Sequence, residues 1–169
     1  MSKIQLKNVR LSFPSLFQKG TYEGKENNKY EATFLIPKKD SETKKMVDEA
    51  IEKAIIDYGK KIKISKDRYC IKDGDDSELD GYENNWSLKA GNKRRPIAIG
   101  RDKASLTEED NLLYAGCYVN AVVDFWIQDN SYGKRVNANL HGVQFVKHGD
   151  AFGSPVEDVT EVFDDLDDL

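Results

Sequence analysis

Apolar and polar side chains alternate at Ile4 and Leu6, then resume one residue out of phase at Val9, Leu11 and Phe13. A period of two with a single slip predicts a strand carrying a β-bulge near Lys7 and Asn8. A stronger alternation, Tyr30, Ala32, Phe34 and Ile36, stops at Pro37, which has no N–H to give a ladder. The period then changes. Val47, Ile51, Ala54, Ile55 and Tyr58 recur at helical spacing, Asp40 or Ser41 supplies an N-cap, and Gly59 follows the last turn. This pattern predicts an amphipathic helix over 41–58.

Beyond the helix, 62–64 and 69–71 read as short strands and "KDGDDSELDG" as acidic turn material. "NWSLKAG" places Trp86, Leu88 and Ala90 on one face, and "GNKRRPIAIGRDK" reads as a basic loop. The longest strand signal is "YAGCYVNAVVDFWIQD". Cys117, Val119, Ala121, Val123, Phe125 and Ile127 form its apolar face; Tyr118, Asn120, Val122, Asp124, Trp126 and Gln128 form the other. "NSYGK" is a turn, and "RVNANLHGVQFV" returns as a strand with a bulge at Gly142. Many strands and one helix predict a mainly β protein, a small barrel or half-open sheet with one face free for a ligand.

A chain of 169 residues fits one domain with a real core. It has no run of membrane-span length, and "MSKIQLKNVR" lacks the apolar stretch of a signal peptide. Cys70 and Cys117 stand in no paired spacing and fit reduced thiols of a cytoplasmic protein. The net charge of −4 hides a division: residues 1–156 carry all 26 Lys and Arg against 23 acids, a net of +3, while 157–169 carry seven acids and no base. Such segregation points to a basic surface and an acidic extension able to compete for it.

Enzyme signatures are weak. There is no G-x-S-x-G elbow, and "GTYEGKE" has three residues between its glycines and Glu26 where a P-loop needs Ser or Thr. His141 and His148 have no second ligand type at metal spacing, and Glu23-x-Lys25 has no acidic residue upstream. The sequence calls for no cofactor and no metal. The carboxylates from Asp73 to Asp80 leave one alternative open, a metal-dependent nuclease or other DNA-processing enzyme.

Two features carry more. Lys89, Lys93, Arg94, Arg95, Arg101 and Lys103 place six cations within fifteen residues, against Asp102 alone. A polyanion groove needs such a cluster, because each neutralised phosphate releases a counterion; a solvated basic loop is the plain alternative. Trp126 stands on the polar face of the longest strand, eight residues from Tyr118, with Tyr132, Lys134 and Arg135 in the next turn. Either the helix or a loop covers that indole, or a base stacks on it. Aromatic rings on a sheet with flanking cations suit single-stranded nucleic acid, since every base has a π-face and every linkage a charge.

At these residues the sequence resembles the single-stranded DNA-binding proteins of tailed bacteriophages, of the type with one domain and an acidic C-terminus. The matching stretches are "VRLSFPSLF" (9–17), "KYEATFLIPK" (29–38), "RRPIAIGRD" (94–102), "YAGCYVNAVVDFW" (114–126) and "GVQFVKHGDAFG" (142–153). The resemblance implies an OB-fold-like five-stranded barrel with one helix and extra short strands. It also implies sequence-independent protection of single-stranded DNA (ssDNA) in phage replication, recombination and repair, in the host cytoplasm, by a monomer or homodimer. The expected DNA-contacting set is Trp86, Lys89, Lys93, Arg94, Arg95, Arg101, Tyr118, Trp126, Tyr132, Lys134 and Arg135. One departure stands out: the helix follows the second predicted strand, whereas a standard OB fold places it after the third.

The domain is expected to span 1–153 and a flexible acidic tail 154–169. That tail, ending Phe163, Asp164, Asp165, Leu166, Asp167, Asp168, Leu169, imitates the charge of a short single strand. Val159, Val162, Phe163, Leu166 and Leu169 also recur at spacings of three or four, an apolar stripe for a partner. The resemblance implies that replication or recombination proteins are that partner.

Overall fold

The computed structural model describes residues 2–22, 25–26, 28–152, 162 and 166. Among the described residues nine strands occur: β1 (Ile4–Ser15), β2 (Thr21–Tyr22), β3 (Lys25–Glu26), β4 (Tyr30–Pro37), β5 (Ile71–Asp73), β6 (Asn85–Asn92), β7 (Ile97–Ile99), β8 (Tyr118–Asn130) and β9 (Gly133–Lys147). Among the same residues there is one α-helix, α1, which runs Ser41–Tyr58. β2 and β3 pair antiparallel with each other, Thr21 with Glu26 and Tyr22 with Lys25, apart from the other strands. The other seven form one sheet in the order β5-β6-β4-β1-β8-β9-β7.

An additional parallel bridge, Gly91 to Asn139, brings β6 back to β9. Five long strands, β1, β4, β6, β9 and β8, thereby make a ring, with β5 and β7 as short additions. The closure consists of that bridge and a second parallel one from Tyr69 to Val136, beside which Cys70 N donates to Val136 O at 2.9 Å, so the ring is OB-like without being a clear barrel. α1 lies between the second and third ring strands and packs against β1 and β8. Among the described residues only β1 and β4 of the ring precede it, so the helix position departs from the standard arrangement.

The inner faces follow the sequence alternation. Leu6, Val9 and Leu11 of β1, Phe34 and Ile36 of β4, Leu88 of β6, Val119 and Val123 of β8 and Leu140 of β9 are fully buried in one cluster. Val47 and Ile51 complete it from the helix. The bulge expected at Lys7 and Asn8 is present: Leu6 pairs with Ala121, but Val9 pairs with Val119. On β9, His141 is the extra residue, because Val122 pairs with Gly142 and Val123 with Leu140.

Three expectations change. Residues 62–64 form no strand, and the short strand expected at 69–71 is β5, two residues later. β7 lies inside the stretch read as a basic loop; its three residues pair in parallel with Gly142, Val143 and Gln144 of β9. Phe13 leaves the inner series of β1: a second irregularity between Ser12 and Ser15 turns it out, and it is 61% exposed.

Between the two candidate caps of α1 the structure selects Asp40, whose carboxylate accepts from Thr43 N at 3.2 Å and Thr43 Oγ1 at 2.7 Å. Asp40→Ala is expected to lower the unfolding free energy by about 1 kcal/mol. Ser41→Ala, at an exposed position, should change it by less than about 0.5 kcal/mol. Urea denaturation followed by circular dichroism measures both, and equal effects would refute the assignment of the cap.

Candidate nucleic-acid interface

Strand register decides which side chains meet on the outside of the ring. Lys72 pairs with Ser87, Ser87 with Leu35, Leu35 with Arg10, Arg10 with Tyr118, and Tyr118 with Lys147. Six strands therefore contribute one continuous outer row, Lys72–Ser87–Leu35–Arg10–Tyr118–Lys147. The adjacent row is Ser12–Thr33–Lys89. Leu35 is the apolar exception and is buried, as is Tyr82, whose hydroxyl shares a 2.9 Å hydrogen bond with Ser12 Oγ.

Tyr118 is flanked by two cations: Lys147 Nζ lies 4.8 Å and the Arg10 guanidinium 5.9 Å from its ring centroid. Arg10 also donates to Gly116 O at 3.1 Å and to Asp150 O, and stacks on Phe152 at 4.1 Å. The last continuous residues of the described chain thus lie on this same face. Lys89 is exposed, with Glu31 Oε2 at 3.6 Å. An open cavity of about 1120 Å³ runs over the β5 edge of this face, touching Phe13, Thr33, Lys72, Tyr82 and Lys89.

The expected contact residues fall into separate places. Tyr118 and Lys89 belong to the outer rows. Lys93, Arg94, Arg95 and Arg101 are exposed on the segment around β7; Arg95 donates to Phe17 O at 2.9 Å and lies 5.8 Å from the Tyr30 ring, at the start of β4. Trp126 shares the face of Tyr118 but lies about 26 Å away along β8. It is 37% exposed, close to the hairpin end where Tyr132, 83% exposed, meets Lys134 and Arg135. Trp86 does not join the outer group: strand alternation turns it inward beneath α1, with Lys44 Nζ at 4.5 Å and Lys38 Nζ at 4.9 Å from its ring. Arg10, Lys72 and Lys147 were missed in the sequence, because each stands alone among ordinary surface cations until register aligns them. Of the tail set, Leu166 is exposed; Phe163, Asp164, Asp165, Asp167, Asp168 and Leu169 lie outside the described residues, as do Glu23 and the 154–161 part of the tail.

Between Tyr118 and Trp126 the outer face is a polar ladder. Asn120 donates to Gln144 at 3.2 Å and Asn137 to Gln128 at 2.9 Å. Asp124 is buried; it accepts from Asn139 at 2.8 Å and holds His141 Nε2 at 2.9 Å. His148 shares a 3.0 Å hydrogen bond with the Tyr114 hydroxyl. Burial pushes the Cys70 thiol up to about 12 and that of Cys117 up to about 11, so both stay protonated and unreactive at neutral pH.

Two of the carboxylates considered for a nuclease, Asp73 and Asp75, are occupied. Lys38 Nζ lies 2.6 Å from both Asp73 and Asp75, Asp73 also accepts from Asp75 N at 2.9 Å, and Asp75 from Asn84 N at 2.8 Å. They staple the β5–β6 connection. Among the described residues no group of three His, Cys, Asp or Glu side chains is placed to hold a metal ion.

An OB-like ring with cations and aromatic rings aligned on its outer face defines a class of small β protein built to hold an extended ligand. The chain belongs to a known family within that class: the model described as "Enterobacter phage Enc34, ssDNA-binding protein" matches residues 2–168. "Putative protein p50" of Acyrthosiphon pisum secondary endosymbiont phage 1 is 45% identical, covering 97% of this chain and 94% of its own. Among solved structures, the single-stranded DNA-binding protein from bacteriophage Enc34 in complex with ssDNA superposes with a TM-score of 0.83 at 34% identity, over 89% of each chain. The gp2.5 ssDNA-binding protein of bacteriophage T7 shares the fold, with a TM-score of 0.60 at 13% identity over 94% of this chain and 98% of its own.

The Lys38 cluster makes a pH prediction. The Lys38 ammonium holds the Asp73 carboxyl below its usual range; the Asn84 amide, then Lys38, does the same for Asp75. A depressed folded-state pKa contributes stability that is present above the ordinary carboxylate range, about pH 4, and lost as pH falls through it. The fall in Tm between pH 7 and about pH 3 should therefore be smaller for Lys38→Gln than for the parent protein. An equal fall in both would show that the cluster adds nothing.

Proposed function

We propose that this protein binds ssDNA without sequence preference and shields it during phage DNA replication, recombination and repair, in the cytoplasm of the infected cell. The observation that carries this reading is the outer row across six paired strands, in which Arg10 and Lys147 flank Tyr118 and Lys72 stands at the far end, with Lys89 in the row beside it. Cations spaced along an extended face neutralise successive phosphates, and exposed rings offer bases a stacking surface. Family membership supports it, since the Enc34 relative carries ssDNA in its solved complex. The protein holds the strand rather than acting on it, and the Asp73–Lys38–Asp75 staple leaves the nuclease alternative without support.

The acidic tail serves as a competitor and an adaptor in this reading. The continuously described chain reaches Phe152 against Arg10, on the rim of the cationic face, and the seven acids of 157–169 follow in the sequence. DNA displaces them, and the freed apolar–acidic segment recruits replication or recombination proteins. The segments at Arg94, Arg95 and Arg101 and the hairpin end with Trp126, Tyr132, Lys134 and Arg135 extend the DNA path beyond the central rows.

Matched ssDNA, double-stranded DNA and ssRNA titrated at two salt concentrations test the central claim: ssDNA should bind best, and its affinity should fall steeply with salt. Trp126→Ala should remove most of the tryptophan quenching on binding; unchanged quenching would place Trp126 off the strand. Truncation after Val156 should tighten ssDNA binding, most at low salt where screening is weakest. Unchanged affinity would reduce the tail to a solvated end.

A further inference from the structure

Phe13 breaks two rules at once. Its backbone φ is +45°, the left-handed region that an aromatic L-residue adopts only under strain. Its ring is 61% exposed although the alternation of β1 would bury it after Val9 and Leu11. A regular continuation of β1 would remove both the positive φ and the exposure, and a chain free of other demands has no reason to accept either. Local rules broken together, without compensating burial, mark functional positions.

Its surroundings say what the ring faces. Pairing places Thr33 beside Ser12, and Lys89 beside Thr33. Phe13 lines the same open cavity as Thr33, Lys72, Tyr82 and Lys89, which Trp86 and the acids Asp48, Glu52, Asp67, Asp73 and Asp76 also line, and Lys72 Nζ donates to Asp67 O at 3.2 Å. Two ammonium groups on an open sheet face, next to an outward aromatic ring, provide for a phosphate backbone and for a base plane. A purely apolar protein partner would leave those two lysines to be desolvated without reward.

We infer that Phe13 is a base-stacking platform, held out by the strained bulge of β1, and that Lys89 and Lys72 take the phosphates beside the base stacked on it. This rests on the ssDNA-binding reading and deepens it: the central contact lies on the β1–β4–β6 face, and the bulge exists to present one ring to a base.

The strain makes the test unusually clean. Glycine adopts this backbone conformation without penalty, so Phe13→Gly should raise Tm by about 2–4 °C while removing the ring. Fluorescence anisotropy with the full chain measures affinity for two labelled probes at fixed low salt, an oligothymidylate and an equally long strand of abasic linkers. Phe13→Gly should weaken oligothymidylate binding roughly ten-fold or more and leave abasic binding unchanged. Phe13→Tyr, which keeps a π-face, should restore the difference between the probes. Lys89→Gln should weaken both probes and flatten the salt dependence.

Equal weakening on both probes would overturn the inference, assigning Phe13 to the shape of the strand. No weakening on either, with Tm raised, would also overturn it and give the ring to some other partner. If the parent protein itself binds neither probe, the ssDNA reading fails, and that outcome is distinct from a failure of Phe13.

Discussion

The register of β1 against its two neighbours controls the outer surface of this protein. β1 pairs with β4 on one side and β8 on the other, so it joins the two halves of the ring. Side chains alternate with a period of two, and a slip of one residue would exchange the inner and outer sets. The bulge at Lys7 and Asn8 makes that exchange once, on purpose: Ile4 and Leu6 point inward before it, Val9 and Leu11 after it. Asn8 has φ +53°, and its N–H is satisfied by Asn120 Oδ1 at 2.9 Å. Only after that shift does Arg10 face outward, in line with Leu35 and Tyr118.

The same requirement separates the two kinds of polar surface. Every backbone and side-chain polar group placed near the core needs a partner. Along the middle of β8 and β9 the outer face meets this need internally, through Asn120 with Gln144, Gln128 with Asn137, and Asp124 with Asn139 and His141. Such a ladder stiffens the long hairpin and presents little charge. Around Tyr118 and across β1, β4, β6 and β5 the outer side chains are instead mostly cations and hydroxyls, with Leu35 buried among them and Glu31 beside Lys89. The ladder thus confines the cationic face to one side of the ring and holds the Trp126 end of the hairpin at a distance from it.

Much of this was readable in the chain. The helix bounds, the β1 and β9 bulges and the four main alternations depend on local periodicity, which survives packing unchanged. β7 escaped because Ile97, Ala98 and Ile99 are too few to show a period, and Pro96, Gly100 and the surrounding cations read as loop. Trp86 was assigned to the ligand although its own alternation with Leu88 and Ala90 put it inside; Lys38 and Lys44, from outside β6, complete its environment. Phe13 continues the alternation of Val9 and Leu11 in the sequence, and periodicity cannot foresee the second irregularity, between Ser12 and Ser15, that turns it out.

What the sequence by itself determined is therefore the set of elements, their faces and the division of charge between body and tail, because each is a property of neighbours along the chain. The tertiary structure alone decided which distant cations share a row, where the ring closes and which way Phe13 points. Those outcomes depend on strand order and register, and register is fixed by contacts between residues as far apart as Arg10 and Tyr118, or Tyr118 and Lys147. No local pattern encodes such a pairing until the whole core has packed.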